Sequence, residues 1–547
     1  MININFVNQN KTAIVPKGTT ILDAARNVGI IIESPCNKIG TCGKCKVRVE
    51  NLKVKSVVSD EVHHRLSKEE TEGGYVLSCQ ARAYKDINVE VIKSNKTLKI
   101  VSEGQSFSYE IKSYITKVFN GRETTVYGGG SVLGVEDGDT TDLMYGLSID
   151  IGTTTLVMAL IDMNSGKEIF SVSSLNPQSL YAQDVLTRIK FASSDDGLIT
   201  MYKDIIKTFN TMIDDVAKKA NIDNSYIYEV VYSGNTTMIH LVTNVNPSSL
   251  GKYPYTPQLV GGNQISAVNL NISPFGVIYL PPIISAYVGP DITSGILASQ
   301  LVYKKGITLF IDIGTNGEMV IAKGGKLSAT STAAGPAFEG MNITCGMRAG
   351  SGAIELFDIK GEDIEIQTID NTTPKGICGS GLLDIVGELV RVGIIGKNGK
   401  FVTLENSNLN ERLVKVDGKL IFQIADNVYL TQKDIRQVQL AKGAVRAGVE
   451  ALLESKNLKA EDVDTVQIAG SFGFHLRAKS LINMGLLPKE FEGKIEYVGN
   501  TSKTGGIAFL LNTDFRNNMK EIVKKIEVVE LANKESFDKI FVKALGF

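Results

Sequence analysis

Four of the six cysteines in this chain of 547 residues stand at spacings that suit metal coordination. Three lie in "PCNKIGTCGKCK", five and then two residues apart, and the fourth follows after thirty-three more residues. They are Cys36, Cys42, Cys45 and Cys79. The chain opens "MININFVNQNK", without the pattern of a secretory signal, and has no apolar run long enough to span a membrane. We therefore expect a cytoplasmic protein, in which thiols stay reduced and clustered cysteines indicate a metal or redox site.

The cysteine spacing favours an iron–sulfur cluster over zinc. Three thiolates on one loop and a distant fourth form the arrangement of a [2Fe-2S] ferredoxin. Zinc ribbons, the alternative, present two short CxxC pairs, whereas only Cys42 and Cys45 form such a pair here. Gly40 and Gly43 let backbone N–H groups approach the sulfurs, which stabilises a negatively charged cluster.

The segments around these cysteines predict the elements that position them. "ININFV" and "TAIVP" alternate like paired strands, and "TTILDAARNVG" predicts a helix with a capping box of Thr20 and Asp23 and an end at Gly29. "CKVRVE" and "DINVEVI" predict further strands. This order resembles the β-grasp fold of plant and vertebrate ferredoxins, and the five-residue gap resembles their adrenodoxin-like branch. The remaining cysteines, Cys345 and Cys378, are interpreted as small buried residues.

Two copies of Asp-Ile-Gly-Thr indicate a second chemistry. Each follows an apolar strand, in "LSIDIGTTTLVMALIDMNSG" and "LFIDIGTNGEMVIAKGGK", and this repetition predicts a duplicated fold. A hairpin turn of this kind can direct amides and hydroxyls onto an anion, while the aspartate at the strand end can hold Mg²⁺ through water. The residues concerned are Asp150, Gly152, Thr153 and Thr154 in the first copy and Asp312, Gly314, Thr315 and Asn316 in the second. Neither a P-loop nor a Rossmann fingerprint occurs.

Paired hairpins of this type resemble the actin, sugar-kinase and heat-shock-chaperone ATPase superfamily, in which two related lobes close over a nucleotide. That resemblance implies a glycine turn against which adenosine lies. "VDTVQIAGSFGFHL" fits, because an apolar strand leads into Gly470, Ser471 and Gly473, where absent side chains admit a flat purine. The expected fold class is multidomain α+β and α/β: an N-terminal β-grasp [2Fe-2S] ferredoxin domain and a C-terminal two-lobed actin-like ATPase fold.

Two further carboxylates are candidates for catalysis beside Asp150 and Asp312. Asp291 lies in "ISAYVGPDITSG", where the superfamily often places a catalytic carboxylate at a helix N-terminus, and we expect it to orient the attacking water. The alternative for Asp291 is a helix N-cap. Glu318 follows the second DIGT copy at a spacing that can face the metal. Lys442, on a predicted amphipathic helix, is interpreted as a solvated lysine, with approach to the nucleotide as the alternative.

Composition and segment boundaries complete this organisation. Residues 1–94 are predicted to form the ferredoxin-like domain, 144–300 the first ATPase lobe and 301–547 the second. Residues 95–143 lose hydrophobic periodicity and are rich in Gly, Ser, Thr and acidic residues, which predicts a linker. The formal net charge of -1 gives no support for nucleic-acid or membrane binding.

The combination of a [2Fe-2S] domain with CX5CX2C spacing, "DIGTTT", "DIGTNGE", "TQKDIRQVQLAKGA" and "IAGSFG" resembles the reductive activators of corrinoid proteins over essentially the full length. Members of that family use ATP to drive reduction of inactive Co(II) corrinoid to the Co(I) state that accepts a methyl group. The resemblance implies a cluster held by the four N-terminal cysteines, ATP and Mg²⁺ at the DIGT loops, and adenosine at the glycine turn.

Several properties stay open at this point. The expected partner is a corrinoid protein, either of a methyltransferase system or the corrinoid iron–sulfur protein, together with an external low-potential electron donor. A homodimer through the ATPase domain is left open. Two other functions also stay open: an ATP-dependent electron-injecting activator of a radical dehydratase, and a redox-sensing ATP-binding module. The dehydratase activators bridge a [4Fe-4S] cluster between subunits, which the fused ferredoxin domain argues against.

Overall fold

The structure, a computed structural model, describes all residues except 29, 31, 33–44, 51–65, 67, 92–98, 103–104, 183, 341, 348, 417, 471–475 and 532–535. The chain divides into two compact units, Met1–Thr97 and Leu98–Phe547. Within the described residues, no helix is long and apolar enough to cross a membrane.

The first unit is a mixed sheet covered by a short helix. Its strands are β1 (Ile2–Phe6), β2 (Lys11–Val15), β3 (Thr19–Thr20), β4 (Lys46–Val49), β5 (Tyr75–Leu77), β6 (Arg82–Ala83) and β7 (Ile87–Val91), and its helices are α1 (Ile21–Asn27) and α2 (Lys68–Glu72). The main sheet has the order β2-β1-β7-β4-β5, with β1 and β7 parallel. The Asp23 amide donates to Thr20 Oγ1 at 3.1 Å, and the Thr20 hydroxyl donates back to Asp23. The predicted strands, helix and capping pair are therefore present.

The second unit begins with small sheets in the segment where the sequence predicts a linker. The strands are β8 (Lys99–Ser102), β9 (Gln105–Ser108), β10 (Ile115–Phe119), β11 (Glu123–Gly128) and β12 (Ser131–Asp137), and the last three form one antiparallel sheet. The prediction of a linker over 95–143 is therefore wrong for the part of this segment that forms these strands. Buried and partly exposed residues alternate along β11, and Gly129 and Gly130 take positive φ in the tight turn to β12. The same residues that lower hydrophobicity therefore build a hairpin.

Buried charges fix this three-stranded sheet against the first lobe. The Lys117 ammonium is 1% exposed and lies 2.8 Å from Glu136 Oε2. It also donates to the carbonyls of Thr140 and Leu143. The Tyr228 hydroxyl, from the first lobe, donates to the other oxygen of Glu136. Because both charged groups find partners, their burial is tolerated and joins the sheet to the lobe.

The first lobe is built on a six-stranded sheet of order β15-β14-β13-β16-β18-β17. Its strands are β13 (Tyr145–Ile151), β14 (Thr155–Asp162), β15 (Lys167–Leu175), β16 (Ile227–Gly234), β17 (Asn263–Ser266) and β18 (Val277–Leu280), and its helices are α3 (Val185–Phe191), α4 (Asp195–Ala220), α5 (Thr236–Val242) and α6 (Pro290–Ala298). Strands β13, β16 and β18 run parallel, while β14 and β15 continue the sheet antiparallel. The buried face of α4 packs on the sheet through apolar residues such as Ile205, Phe209 and Ile213.

The second lobe repeats this arrangement. Its elements are β19 (Ile307–Ile313), β20 (Gly317–Lys323), β21 (Lys326–Thr332), β22 (Ala353–Lys360), β23 (Asp363–Thr368), β24 (Gly376–Ile377), α7 (Gly379–Arg391), β25 (Leu413–Val416), β26 (Lys419–Ala425), β27 (Val428–Thr431), α8 (Gln432–Ser455), β28 (Thr465–Ala469), α9 (Ala478–Asn483), β29 (Ile495–Gly499), α10 (Thr501–Leu511), α11 (Thr513–Val523), β30 (Glu527–Val528) and α12 (Phe537–Ala544). The main sheet has the order β29-β28-β19-β20-β21-β30. Its first five strands match β18-β16-β13-β14-β15 in order and direction, so the predicted duplication is present.

Helices α6 and α10 join the two lobes. They pack against each other, and α10 also packs on β13 and β16 of the first lobe. A Cβ at Gly505 of α10 would lie 2.1 Å from the carbonyl oxygen of Ser294 in α6, so glycine is required for this close approach. The C-terminal part of the chain therefore contributes a helix to the packing of the first lobe.

Candidate functional site

The two DIGT copies meet at one cavity between the lobes. Asp150 is the penultimate residue of β13, and Asp312 holds the same position in β19. The cavity is lined by residues from both turns and from the ends of neighbouring strands and helices: Asp150, Ile151, Gly152, Thr153, Thr154, Thr155, Val157, Asn235, Asp291, Asp312, Ile313, Gly314, Thr315, Asn316, Glu318, Glu339, Gly470, Asn500 and Ser502. The structure thus brings together all predicted nucleotide-site residues that it describes. Ser471 and Gly473 lie outside the described residues.

Sheet register explains why Glu318 faces the same cavity. Asp312 and Glu318 are direct antiparallel partners on β19 and β20, so their side chains project from the same face. At the corresponding place in the first lobe, Asp150 is paired with Val157. The duplicated hairpins therefore differ chemically, because only the second carries two acids at its open end.

Two glycines are required by the geometry of these turns. A Cβ at Gly152 would lie 2.5 Å from the Thr155 carbonyl oxygen, which closes the first turn. Gly470 has φ of 120°, and its Cβ would lie 2.6 Å from the Ile313 oxygen and 3.2 Å from Asp312 Oδ1. A side chain at either position would clash with the loop that it faces.

The enclosed carboxylates raise one another's pKa. Burial raises the pKa of Asp312 to about 8, and the charges of Asp291 and Asp150 add to this effect. Burial likewise raises the pKa of Asp291 to about 7 and the pKa of Glu318 well above its usual value. The pKa of Asp150 is also raised by burial, although hydrogen bonds from neighbouring side chains oppose the shift. Such a group of acids favours a cation, because a cation would stabilise their ionised forms.

The donor set suits magnesium held through water. Within the described part of the chain, no three acidic, histidine or cysteine side chains converge closely enough to hold a metal ion directly. Mg²⁺ usually keeps several water ligands and uses one or two carboxylates together with substrate phosphates. The oxygens of Asp150 and Asp312 supply such carboxylates on the two sides of the cavity. The residues present therefore fit a hydrated Mg²⁺.

Two asparagines that were not predicted as site residues hold the side chains of Asp150 and Thr153 in place. Asn500 caps α10, and its side-chain amide donates to Asp150 Oδ2 at 2.7 Å. The Ser502 hydroxyl donates to the other oxygen of Asp150 at 2.8 Å. Asn235 caps α5, and its amide donates to Thr153 Oγ1 at 3.1 Å. Both asparagines stand in the repeated tripeptide Gly-Asn-Thr, in "SGNTTM" and "VGNTSK", and this repetition is the signal that could have identified them.

Glu339 is a fifth acid at the cavity. It follows the second lobe's "AAGPAF" segment and accepts a short hydrogen bond from the Thr315 hydroxyl. Asp291 lies in the first turn of α6, where Gly289 is the N-cap residue. The N-cap alternative for Asp291 is therefore wrong. Its side chain lines the cavity, and Oδ1 accepts a hydrogen bond from the Ile292 amide at 2.9 Å.

Lys442 lies away from the cavity lining. Its side chain is 1% exposed, so the interpretation as a solvated lysine is wrong. The ammonium donates to the Gly546 carbonyl and lies 5.2 Å from the centre of the Phe547 ring. Burial lowers the pKa of Lys442 to about 8. These contacts attach the C-terminal residues to α8.

Two of the four predicted cluster ligands lie within the described residues. Cys45, just before β4, and Cys79, just after β5, are buried with their sulfurs 3.1 Å apart. The hydrogen bond between the two thiols lowers the pKa of Cys45 to about 6. Two tetrahedral ligands at metal–sulfur distances of about 2.3 Å would be about 3.8 Å apart, so a small shift lets both thiolates bind one metal atom. Cys36 and Cys42 lie outside the described residues.

The other two cysteines lie in the second unit. The Cys378 thiol is buried and donates to the Ile354 carbonyl at 3.1 Å, as expected of a small core residue. Cys345 is partly exposed, so the expectation of burial is wrong for this residue. Its thiol lies 3.7 Å from the Asn427 carbonyl.

Comparison with known proteins agrees with this organisation. A family model described as the 2Fe-2S iron-sulfur cluster binding domain matches residues 5–84, one described as the RACo middle region matches 145–304, and one described as the C-terminal domain of RACo, the ASKHA domain, matches 306–547. The corrinoid activation enzyme RamQ of Eubacterium limosum is 30% identical over 566 residues, which cover 96% of this chain and 95% of that protein.

Two further comparisons lead to the same family. A protein of Methanosarcina barkeri named as the reductase of a Co(II) methylated amine-specific corrinoid protein is 28% identical over 427 residues, 74% of this chain and 77% of that protein. The solved structure of a reductive activator for a corrinoid, iron-sulfur protein superposes with a TM-score of 0.76 at 32% identity, covering 100% of this chain and 98% of that one. The chain therefore belongs to the family of corrinoid activation enzymes, with an N-terminal iron–sulfur domain and a C-terminal ASKHA domain.

Proposed function

We propose that this protein is an ATP-dependent reductive activator that converts the inactive Co(II) state of a corrinoid protein to Co(I). The observation that carries the proposal is the match to a corrinoid activation enzyme along nearly the whole of both chains. The paired cysteines of the first unit and the acid-lined cavity of the second are the two sites that such a reaction needs.

The first unit supplies the electron. Cys36, Cys42, Cys45 and Cys79 would hold a [2Fe-2S] cluster, with the last two close enough to share one iron atom. When bound, such a cluster supplies one electron at a potential of about −400 mV. An external low-potential donor of the cytoplasm would reduce the protein before each transfer. The substrate is the cobalt atom of the partner protein.

The second unit binds and hydrolyses ATP. Thr153 and Thr154 would face the phosphates from one side, and Thr315 and Asn316 would face them from the other. Asp150 and Asp312 would hold Mg²⁺ through water. Adenosine would lie against Gly470; Ser471 and Gly473, the other residues predicted to flank it, lie outside the described residues.

Three of the acids then have distinct tasks. Asn500 and Ser502 fix both oxygens of Asp150, so this carboxylate is oriented before the metal arrives. Asp291 orients the attacking water, since its pKa of about 7 lets it accept a hydrogen bond or a proton near neutral pH. Glu318, beside Asp312 on the same face, would hold the metal through water. Positioning and charge stabilisation of this kind account for most of the catalysis of phosphoryl transfer.

ATP contributes to electron transfer through conformation. A nucleotide can shift the docked complex only by its different affinity for two states of the protein. The cavity is formed by both lobes, so nucleotide binding and hydrolysis change the free energy of lobe closure. Lobe closure in turn would change the contacts of the corrinoid partner and the ease with which its cobalt accepts an electron.

The corrinoid partner belongs to a methyltransferase system or is a corrinoid iron–sulfur protein. The names of the relatives support both classes, because one acts on a methylated amine-specific corrinoid protein and the other on a corrinoid, iron-sulfur protein. We expect ATP hydrolysis by the purified protein to rise at least severalfold when a Co(II) corrinoid protein of the correct class is added. Phosphate release under anaerobic conditions measures this, with the Co(I) or methylated partner as the control.

The alternatives give different results in the same assay. A redox-sensing ATP-binding module would bind ATP without measurable turnover in the presence of any corrinoid protein. An activator of a radical dehydratase would respond to the dehydratase and not to a corrinoid protein. Either result would contradict the proposal.

A further inference from the structure

The first phosphate loop is held from beneath by two buried polar side chains. Asn176 is fully buried. Its side-chain amide donates to the Gly152 carbonyl at 2.9 Å, and its backbone N–H donates to the Thr154 carbonyl at 3.0 Å. Arg188, on α3, donates to the carbonyl between them, that of Thr153, at 2.6 Å. Three consecutive carbonyls of the loop are thus bound on the side away from the cavity.

This arrangement decides where the loop amides point. In a planar trans peptide, the N–H group is directed opposite to the carbonyl of the same peptide unit. The Gly152 and Thr153 carbonyls point into the lobe, so the amides of Thr153 and Thr154 point towards the opposite side, which is the cavity lining. Successive N–H groups aimed at one place form an anion-binding concavity.

The charge of Arg188 adds a second observation. Five carboxylates line the cavity, and no lysine or arginine is among its described lining residues. Arg188 is fully buried directly behind the loop and, within the described chain, forms no ion pair. Its field reaches Asp184 and the cavity acid Glu339. Lys503, which follows the cavity residue Ser502, is paired with Glu168 at 3.0 Å.

The remaining contacts of Arg188 keep its guanidinium in one orientation. Its Nε donates to the Ala182 carbonyl at 3.1 Å, and Nη1 lies 3.5 Å from Gln178 Oε1 and 3.2 Å from the sulfur of Met238. Burial lowers the pKa of Arg188 to about 10, so the side chain is still charged at neutral pH. A buried cation without a carboxylate partner is costly, and its retention behind a phosphate-binding turn is explained if an anion binds in front of that turn.

We propose that Arg188 is a positioning residue of the nucleotide site. Together with Asn176, it binds the carbonyls of the first DIGT loop, and so directs the loop amides and its own buried positive charge towards the phosphates of ATP. This inference rests on the proposed function and adds to it the residues that shape the phosphate site. Arg188 acts through the loop and does not itself line the cavity.

Replacement of Arg188 tests the proposal through phosphate recognition. We expect Arg188→Met to weaken MgATP binding at least tenfold, measured by calorimetry on the full chain, while the affinity for adenosine changes less than twofold. Arg188→Lys keeps the charge but cannot reproduce the fork of hydrogen bonds, so its loss should be intermediate. Arg122→Met, the same change at an exposed turn between β10 and β11, should leave both affinities unchanged.

The outcomes separate this inference from its premise. Wild-type protein that does not bind MgATP would contradict the proposed function itself. Wild-type protein that binds, with a folded Arg188→Met variant that binds MgATP equally well, would overturn the role of Arg188 alone. If the methionine variant does not fold, Arg188→Lys decides, because a merely structural role would weaken ATP and adenosine binding together or leave both unchanged.

Discussion

Replacing Cys79 with serine should abolish both the iron–sulfur absorption of the protein and its ability to reduce cobalt. Cys79 is buried with its sulfur 3.1 Å from that of Cys45, so no other described cysteine can take its place at the metal. Iron in these clusters is held by thiolates, and a serine hydroxyl is a much poorer ligand because it is far harder to deprotonate than a thiol. We expect less than about a tenth of the wild-type iron content and no ATP-dependent formation of Co(I).

The matched control is Cys345→Ser. Cys345 is a partly exposed thiol of the second unit, so this variant should keep the iron content, the visible spectrum and the activity of the wild type. MgATP binding should persist in Cys79→Ser because Cys79 and the nucleotide cavity lie in different compact units of the chain. A Cys79→Ser protein with a full complement of iron would contradict the assignment of the four ligands.

Replacing Asp312 with asparagine should reduce ATP hydrolysis by at least about 100-fold, since removal of one preorganised electrostatic group costs this much in comparable sites. Burial and two neighbouring acids raise the pKa of Asp312 to about 8, so without a cation the side chain is largely protonated at neutral pH. Asparagine resembles that neutral form in size and polarity. The variant should therefore fold normally and lose mainly the interaction with Mg²⁺.

Steady-state phosphate release, measured over a range of Mg²⁺ concentrations, checks this prediction. Asp363→Asn, an exposed aspartate at the start of β23, is the control and should behave as wild type. If Asp312→Asn hydrolyses ATP with the wild-type rate and Mg²⁺ dependence, the acids of the cavity do not hold the metal. Weaker Mg²⁺ dependence with an unchanged maximal rate would also contradict the account, because Asp312 is expected to act in the transition state.

The chemistry of the site could be predicted from short motifs because the backbone geometry of these turns allows few other residues at the key positions. Gly152 and Gly470 are required by close approaches to neighbouring carbonyls, and a strand that ends in Asp-Ile-Gly-Thr turns at that point. Because the Asp-Ile-Gly-Thr motif occurs twice, each time after an apolar strand, the duplication of the fold could be predicted from the sequence. Glu318 was also predictable, since a hairpin places it opposite Asp312.

Other parts depend on tertiary packing. Arg188 stands 35 residues after Thr153, on a short helix whose position follows only from how it packs, and an isolated arginine carries no sequence signal for that role. Composition also misled the linker prediction, because threonine and paired glycines are common both in linkers and in tight hairpins. Lys442 appeared to belong to a solvated helix face because the C-terminal residues that cover it follow about one hundred residues later.

The most direct test of the central claim is anaerobic visible spectroscopy of the pre-reduced protein mixed with Co(II) corrinoid proteins, with and without MgATP. We predict that the absorption band of Co(I) appears with MgATP and the correct partner, and that it is absent without nucleotide or with the Asp312→Asn variant. Formation of Co(I) at the same rate and to the same extent without MgATP would contradict the coupling of ATP to electron transfer. No Co(I) with any corrinoid protein, while the cluster is intact and reduced, would contradict reductive activation altogether.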